Sequence, residues 1–450
     1  MTPGLFILFV MLAALGSGIW IGFALLGTGV IALEWYRDMP IARVLAQDIW
    51  ARLNADELVT LPLFILMGDI LFHTRLSESL FRGLAPWVQR LPGGLLHVNV
   101  LGCTLFAAVS GSSAATTATV GKMTLVELLK RGYNRDLAIG SLAGAGTIGL
   151  MIPPSIPMIV YGVLAEVSIL DLFICGVVPG LLIAALYVLW IMFRAVTDPS
   201  IQPAVRERAS WAEKFAALAD LLPVVFLIAL VIGSMYSGVA SVTEAAAIGV
   251  AGALLIAAGQ RTLSWRLLGR ALLSTVRTCS MIGLILAGAL FLSRALVTLG
   301  VPAAAAQWVG SLGLSPYMLI FALLIVYLIL GTALDGLSAM VMTLPVVLPM
   351  VAAAGFNPVW FGIFIIITIE LSNVSPPVGF NLFVIQEMTG DTQTRVALAS
   401  LPFCLLLLAL IAFITVWPQI VLGPLAFIRG GAQAAPSRVG STATPRSSCP

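Results

Sequence analysis

The chain has 450 residues, of which 60% are hydrophobic and only 10% are charged, and its mean hydropathy is +1.08. Soluble domains carry about 25% charged residues, so this composition excludes a soluble globular protein and indicates a polytopic membrane protein. The net charge of +3 is small and spread over loops, which argues against a nucleic-acid partner. No CxxC pair and no HExxH or GxSxG signature is present, so we expect neither metal, redox nor hydrolytic chemistry.

Apolar segments follow one another along most of the chain. A spanning helix requires about 20 apolar residues, which leaves room for ten or more passes. The segments lie at residues 5–33, 57–72, 94–109, 114–129, 137–165, 169–194, 216–236, 241–258, 271–297, 315–333, 337–353, 359–386 and 398–422. We therefore predict an all-α transmembrane domain over residues 1–429, which begins with a retained membrane segment. Residues 430–450 are rich in Gly, Pro and Ser, and we predict a disordered tail.

Two of the apolar regions are interrupted by small polar residues. Region 94–129 contains Ser110-Gly111-Ser112-Ser113, and region 315–353 is interrupted between Gly331 and Gly336. Each region predicts a re-entrant hairpin of two half-depth helices. Hydroxyl and free carbonyl oxygens at such a tip suit Na⁺, whereas the alternative role of small residues is close helix packing.

Each predicted hairpin is followed by an apolar stretch that a Pro-Pro pair interrupts. Pro153-Pro154 and Pro376-Pro377 lie 223 positions apart, and Gly132-Tyr133-Asn134 and Gly355-Phe356-Asn357 share that offset. An unsatisfied backbone group in lipid costs several kcal/mol. Two broken helices at corresponding places in two halves therefore predict a substrate or ion site.

The basic residues predict that the two halves are inverted. Loops 130–135, 194–214 and 261–270 are basic and are placed in the cytoplasm, whereas loops 166–168, 237–240 and 298–314 contain no Lys or Arg. Five crossings then separate the hairpins, and an odd number inverts the second against the first. We predict repeats at about 57–194 and 271–422, linked by helices within 216–258. Amphipathic stretches 80–90 and 301–309 precede the hairpins and suit interfacial helices, with simple connecting loops as the alternative.

The second half adds polar side chains to this pattern. Asp335 lies between apolar runs, and a mid-membrane Asp costs about 2.5–3.5 kcal/mol on insertion scales; the alternative is a helix cap. Glu370, Ser372, Asn373 and Ser375 bring oxygens to the second break, again with capping as the alternative. The N-termini of half-helices would attract a carboxylate, which predicts an anionic substrate.

Five motifs together resemble the large membrane subunit of TRAP transporters, the tripartite ATP-independent periplasmic type. They are SGSSAATTATVG (110–121), GTIGLMIPPSI (146–156), VTEAAA (242–247), LDGLSAMVMTLPVVLP (334–349) and ELSNVSPPVGFNLFV (370–384). The resemblance covers residues 5 to 425. It implies an inverted-repeat, elevator-type transporter of the ion-transporter superfamily in the bacterial inner membrane. It also implies two partners, a separate four-helix membrane subunit and a periplasmic substrate-binding protein.

The same resemblance implies two sets of site residues. The Na⁺ ligands would be Ser110, Gly111, Ser112, Ser113, Gly146, Thr147, Pro153, Asp335, Gly336, Ser372, Asn373 and Pro376. The substrate would contact Ser112, Ser113, Thr116, Pro154, Ser155, Asn373 and Asn381.

The sequence therefore predicts Na⁺-coupled uptake of an organic acid. The alternative within transport is a stand-alone Na⁺- or H⁺-coupled dicarboxylate carrier of the same superfamily. A membrane enzyme would require a nucleophile–base pair or a metal-ligand set, and the unpaired His73 and His97 supply neither.

Overall fold

A computed structural model of the protein describes residues 2–203, 209–311, 313, 315–332, 334–376 and 379–428. Within these ranges the fold is entirely helical, as predicted. The predicted disordered tail, 430–450, lies outside the described residues.

The helices fall into five groups along the chain. Three helices come first: α1 (Pro3–Gly16), α2 (Ile21–Tyr36) and α3 (Ile41–Leu53). The first repeat, after a 3-10 turn at Asp56–Val59, contains α4 (Thr60–Phe72), α5 (Leu76–Val88), α6 (Leu96–Ser110), α7 (Ser113–Lys130), α8 (Arg135–Gly146), a 3-10 turn at Thr147–Leu150, α9 (Ile156–Ala165) and α10 (Ile169–Thr197). A 3-10 turn at Pro199–Ile201 precedes the linking helices α11 (Trp211–Tyr236) and α12 (Val242–Gly259). The second repeat contains α13 (Trp265–Thr298), α14 (Val301–Ser311), α15 (Pro316–Leu330), α16 (Gly336–Ala353), α17 (Pro358–Val374), α18 (Phe380–Thr389) and α19 (Gln393–Val416), and α20 (Gln419–Ile428) ends the described chain.

The two repeats have the same order of elements. Each contains a helix (α4 or α13), an amphipathic helix (α5 or α14), a hairpin (α6–α7 or α15–α16), a broken helix (α8–α9 or α17–α18) and a long helix (α10 or α19). In the described chain, α8–α9, α10, α11, α12, α13 and the short amphipathic α14 separate the hairpins, and the first five correspond to the predicted crossing segments.

The turn before each broken helix is built in the same way. Gly132 and Gly355 follow α7 and α16 with φ of +79° and +86°, a left-handed conformation that glycine adopts without steric cost. Asn134 and Asn357 then cap α8 and α17, because their side-chain oxygens accept hydrogen bonds from backbone amides of the first turn. The shared offset in sequence therefore corresponds to a shared structure.

The two broken helices run antiparallel. The Tyr161 hydroxyl on α9 donates a 2.6 Å hydrogen bond to the Pro358 carbonyl at the start of α17. At the other end, Arg135 at the start of α8 forms an ion pair of 2.9 Å with Asp391, just after α18. The second half of the first broken helix thus packs beside the first half of the second one, and the remaining two halves also pack together. This is the arrangement that inverted repeats require.

By length and composition, six described helices could cross a membrane: Ile169–Thr197, Trp211–Tyr236, Val242–Gly259, Trp265–Thr298, Gly336–Ala353 and Gln393–Val416. Each half of the two broken helices is shorter than these six helices. Helices α8 and α9 have 12 and 10 residues, and α17 and α18 have 17 and 10 residues. A full crossing therefore requires both halves in series. Segment 5–33 differs from the sequence interpretation, because a turn at residues 17–20 divides it into α1 and α2.

Glycines bring α2 and α13 into close contact. A Cβ on Gly29 would lie 2.9 Å from Phe291, and one on Gly288 would meet the Gly22 carbonyl. Membrane helices associate through such small residues because lipid provides no hydrophobic drive for their packing. Helix α13 also contacts α4, and α4 and α13 pack against the hairpin helices α6 and α16.

We expect Arg135→Ala to lower the free energy of unfolding by about 1 kcal/mol, because the largely buried Asp391 carboxylate loses its shortest ion pair. Arg82→Ala is the control, since its contacts with Glu78 and Asp220 are 3.8 and 3.7 Å and more exposed. Thermal unfolding in detergent measures both. Equal losses for the two variants would contradict a special role for the Arg135 ion pair.

Candidate functional site

The first hairpin ends in a compact turn held by hydroxyl groups. Gly111 ends α6 with φ of +59°, and the Ser112 hydroxyl caps α7 by accepting a hydrogen bond from the Ala115 amide. The Ser110 and Thr116 hydroxyls lie 2.8 Å apart, and Thr116 donates to the Ser112 carbonyl at 2.7 Å. The tip that the sequence predicts is therefore present, and α7 begins there with its amide end.

This tip is inserted into the break of the first broken helix. A Cβ on Gly111 would lie 2.7 Å from the Pro154 carbonyl oxygen. A Cβ on Gly149 would lie 2.8 Å from the Ser113 Cα and 2.9 Å from the Ser112 carbonyl oxygen. Both approaches are closer than a side chain allows, so glycine is required on each side of the contact. The peptide bond between Pro153 and Pro154 is cis.

Ser113 connects the two halves of the protein. Its hydroxyl lies 3.0 Å from both the Gly146 carbonyl oxygen and a Glu370 carboxylate oxygen, and it accepts a 2.7 Å hydrogen bond from the Asn381 amide. Gly146 belongs to the first broken helix, whereas Glu370 and Asn381 lie on either side of the second break. One buried hydroxyl thus contacts three of the four half-helices, namely α8, α17 and α18.

Glu370 is the central residue that the predicted site set omits. It is fully buried, and besides Ser113 it interacts with the Asn373 side chain and the Leu150 backbone amide. In the sequence it stands within a polar group that also suits helix capping, and no local pattern separates it from its neighbours. The signal that could have identified Glu370 is its position within an apolar stretch, because an acid there requires a partner inside the protein.

Three buried oxygen atoms around this tip have no hydrogen-bond partner in the described structure. They belong to the side chains of Ser155, Glu370 and Asn381. Ser155 precedes α9 without capping it, so its hydroxyl is not used by the helix. Buried polar atoms are almost always paired in native proteins, so these three are candidates for contact with a polar ligand or ion.

The Thr147 hydroxyl bonds to other residues than Ser155, Glu370 and Asn381. Its hydroxyl donates to the Gly144 carbonyl at 2.6 Å and lies 3.2 Å from the Tyr187 hydroxyl. Pro153 and Pro154 are buried in the break itself. Of the predicted first-half residues, Ser113 and Gly146 therefore contact each other directly, and Gly111 and Pro154 form the steric contact.

The second hairpin packs against the second broken helix with similar closeness. A Cβ on Gly331 would meet the Ser372 side chain, and one on Gly336 would meet Ile369. Asp335 caps α16 by accepting a 3.1 Å hydrogen bond from the Ser338 amide, and it is exposed. The capping interpretation of Asp335 therefore describes its position, and its predicted role as an ion ligand stays a prediction.

The two breaks differ in their exposure. Residues 150–155 at the first break are all buried, whereas Asn373 and Ser375 are partly exposed and Pro376 is exposed at the second. Ser372 is buried and donates to the Ile369 carbonyl at 2.7 Å; Pro377 lies outside the described residues. The repeated architecture thus surrounds a centre that is not symmetric.

No group of three or more His, Cys, Asp or Glu side chains that could hold a metal ion occurs in the described part of the chain. The oxygens at the tip come instead from hydroxyls, carbonyls, one amide and one carboxylate. Such oxygens are hard donors, unlike the thiolate and imidazole ligands that softer transition metals prefer.

Two inverted repeats, two hairpins and two broken helices define a polytopic membrane transporter fold. Among solved structures, the Alcanivorax borkumensis YdaH transporter superimposes with a TM-score of 0.60 at 16% identity, covering 88% of this chain and 96% of that one. The Neisseria gonorrhoeae MtrF structure gives a TM-score of 0.59 at 14% identity over 84% of this chain and 83% of that chain. At such low identity these structures show the fold alone.

Sequence comparison then assigns the family. The family described as Tripartite ATP-independent periplasmic transporter, DctM component, matches residues 5–420. The C4-dicarboxylate TRAP transporter large permease protein DctM of Pseudomonas aeruginosa is 34% identical over 81% of this chain and 85% of its own length. The protein of the same description in Rhodobacter capsulatus is 30% identical over 92% of this chain and 96% of its own. This chain belongs to the DctM family of TRAP transporter large permeases, as the sequence motifs predict.

We expect Gly111→Ala to unseat the hairpin tip, because its Cβ would lie 2.7 Å from the Pro154 carbonyl oxygen. Gly132→Ala is a matched control, since Gly132 also has a positive φ but a Cβ there would meet nothing within 4 Å. Amide hydrogen exchange at residues 110–116 should become at least about tenfold faster only in Gly111→Ala, which corresponds to ~1.4 kcal/mol of local stability. Equal protection in both variants would contradict the steric contact.

We expect Ser113→Ala to destabilise the protein by about 1–3 kcal/mol, because it leaves the Glu370, Asn381 and Gly146 polar groups without their shared partner. Thr124→Val is the control, since the buried Thr124 hydroxyl bonds only to the Val120 carbonyl of its own helix. Thermal unfolding in detergent measures both variants. A loss for Ser113→Ala no larger than that of Thr124→Val would refute the bridging role.

Proposed function

We propose that this chain carries a small organic acid inward across the bacterial inner membrane, together with Na⁺, as the large membrane subunit of a TRAP transporter. The observation that supports the proposal best is the group of buried, unpaired oxygens around Ser113, at the point where both breaks and the first hairpin tip meet. Such a site can bind a solute or ion only by admitting it between the two halves.

The same group supplies both kinds of binding surface that symport requires. The Ser155 hydroxyl, the Asn381 carbonyl oxygen and the Glu370 carboxylate are oxygen ligands for Na⁺. The amide ends of α7, α9 and α18 carry partial positive charge and face the region where a carboxylate would bind. Each positive charge that enters at 100 mV contributes about 2.3 kcal/mol, so a few Na⁺ ions could accumulate an organic anion strongly.

The packing supports an elevator-type movement. The hairpins, the broken helices, α10 and α19 contact one another, and α4 and α13 pack against the hairpin helices α6 and α16. Gly68 of α4 faces the end of α6, where a Cβ would lie 3.1 Å from the Val109 carbonyl oxygen. In the proposed mechanism the first group moves as the transport domain against α2, α4 and α13.

We infer the substrate class and the partners from the relatives. Their names specify C4-dicarboxylates for the Pseudomonas aeruginosa protein, 2,3-diketo-L-gulonate for an Escherichia coli protein and isethionate for an Oleidesulfovibrio alaskensis protein. All three are small organic acids. The tripartite family description implies two further components, and we infer that they are a periplasmic binding protein that delivers the acid and a small four-helix membrane subunit.

Uptake in proteoliposomes that contain this chain, both partners and labelled succinate or another small acid tests the proposal. We expect an inward Na⁺ gradient to raise the initial rate at least about tenfold, or ~1.4 kcal/mol in barrier. Uptake that continues unchanged when K⁺ replaces Na⁺ would refute the coupling. Full uptake without the binding protein would instead indicate a stand-alone carrier.

Glu370→Gln tests in the same assay whether the Glu370 carboxylate contributes to cation binding. The substitution keeps the hydrogen-bonding shape but removes the carboxylate charge, so we expect the Na⁺ concentration for half-maximal uptake to rise at least about threefold. Glu213→Gln is the control, because Glu213 belongs to an exposed capping box at the start of α11. An unchanged Na⁺ dependence in Glu370→Gln would exclude its carboxylate from the cation site.

A further inference from the structure

The linking helices α11 and α12 form an apolar groove on the outside of the protein. On α11 it is lined by Pro223, Phe226, Leu227 and Leu230, and on α12 by Ile248, Ala251, Gly252, Leu255, Ile256, Gly259 and Gln260. Both sets follow helical spacing, so each helix contributes one continuous stripe. The cavity between them is about 670 Å³, within the ~300–1,000 Å³ of small-molecule pockets.

The groove has a floor and open walls. Leu227 is 2% exposed and forms the floor, whereas Phe226 and Leu255 are 66% and 73% exposed and form the walls. A Cβ on Gly259 would meet nothing within 4 Å, so the end of the groove is open. The shape fits a single flexible hydrocarbon chain lying along the two helices.

One end of the groove is positively charged. Gln260, the last lining residue, accepts a 3.0 Å hydrogen bond from the Arg75 backbone amide, and Arg261 follows it directly. Arg266 and Arg270 begin the next helix, where Trp265 is 89% exposed. Among the described residues none of these four arginines forms an ion pair with a carboxylate. An exposed Trp beside unpaired arginines is typical of the membrane interface.

We propose that this groove binds an anionic phospholipid of the inner leaflet, with an acyl chain between α11 and α12 and its phosphate beside Arg75 and Arg261. The charge at one end distinguishes a lipid from a partner helix. A helix that packed into the groove would require no anion there, whereas a phospholipid carries its phosphate at that depth. The site lies outside the transport centre, so the proposal does not depend on the transported solute.

Lipid retention by the purified membrane complex tests the proposal. The complex is incubated with phosphatidylglycerol or phosphatidylcholine of identical acyl chains, and the bound lipid is counted by native mass spectrometry. We expect retention of phosphatidylglycerol to exceed that of phosphatidylcholine about tenfold. Equal retention of the two lipids, or equal competition by inorganic phosphate and by phosphatidylglycerol, would overturn the proposal.

Two sets of variants test the binding of the acyl chain and of the lipid headgroup independently. Gly259→Leu and, independently, Ala251→Trp should fill the groove and abolish retention, whereas Ala229→Trp on the exposed side of α11 should not. The double variant Arg75→Gln with Arg261→Gln should abolish only the preference for phosphatidylglycerol, whereas the exposed Arg43→Gln should preserve it. Crosslinking of a cysteine at Ala251 to the small membrane subunit would assign the groove to that partner and overturn the lipid proposal.

Discussion

The structure depends on one constraint, namely that a helix broken in the membrane interior must find partners for its polar groups within the protein. At the first break the hairpin tip supplies them. The Ser113 hydroxyl lies on the Gly146 carbonyl, and the tip backbone packs directly on Pro154 and Gly149. The same hydroxyl reaches Glu370 and Asn381 in the other half. The hairpin of the first repeat thus contributes to both breaks, which ties the two halves together at this point.

The two repeats are alike in the turns and caps that begin their broken helices, but the contacts between the two breaks are not symmetric. The turns at Gly132 and Gly355 and the caps at Asn134 and Asn357 repeat because they only have to start a helix after a hairpin. The centre contains one Ser113 hydroxyl, which takes its partners from both halves. An exact twofold arrangement would give the hydroxyl the same partners in both halves, whereas Ser113 contacts a carbonyl in one half and a carboxylate and an amide in the other. The proposed binding of two unlike species, a cation and an anion, also requires an asymmetric centre.

The frame could be predicted from the sequence because hydropathy, proline and charge are local signals. Two hairpins and two breaks follow from them, and the structure contains these elements; the odd number of crossings stays a prediction. The contacts at the centre could not be predicted in this way. Ser113 and Glu370 are separated by 257 positions, and no local pattern pairs them. Asp335 and Glu370 look equivalent as acids in apolar sequence, yet one caps an exposed helix end and the other is fully buried. The turn between α1 and α2 escaped prediction because the apolar residues continue through Gly18.

The antiparallel arrangement of the broken helices explains how one centre can present both signs of charge. In each broken helix the first half ends with free carbonyls and the second begins with free amides. Because α9 lies beside α17 and α8 beside α18, the two breaks are close together, and the Ser113 hydroxyl contacts the carbonyl end of α8 and a side chain in the first turn of α18. The amide end of α7 joins them at the hairpin tip. Carbonyl ends favour a cation and amide ends an anion, so adjacent sites of opposite preference arise from backbone geometry before any charged side chain contributes. In the proposed symport, a cation bound at the carbonyl ends would strengthen the binding of an anion at the amide ends, and this mutual attraction would couple the two solutes.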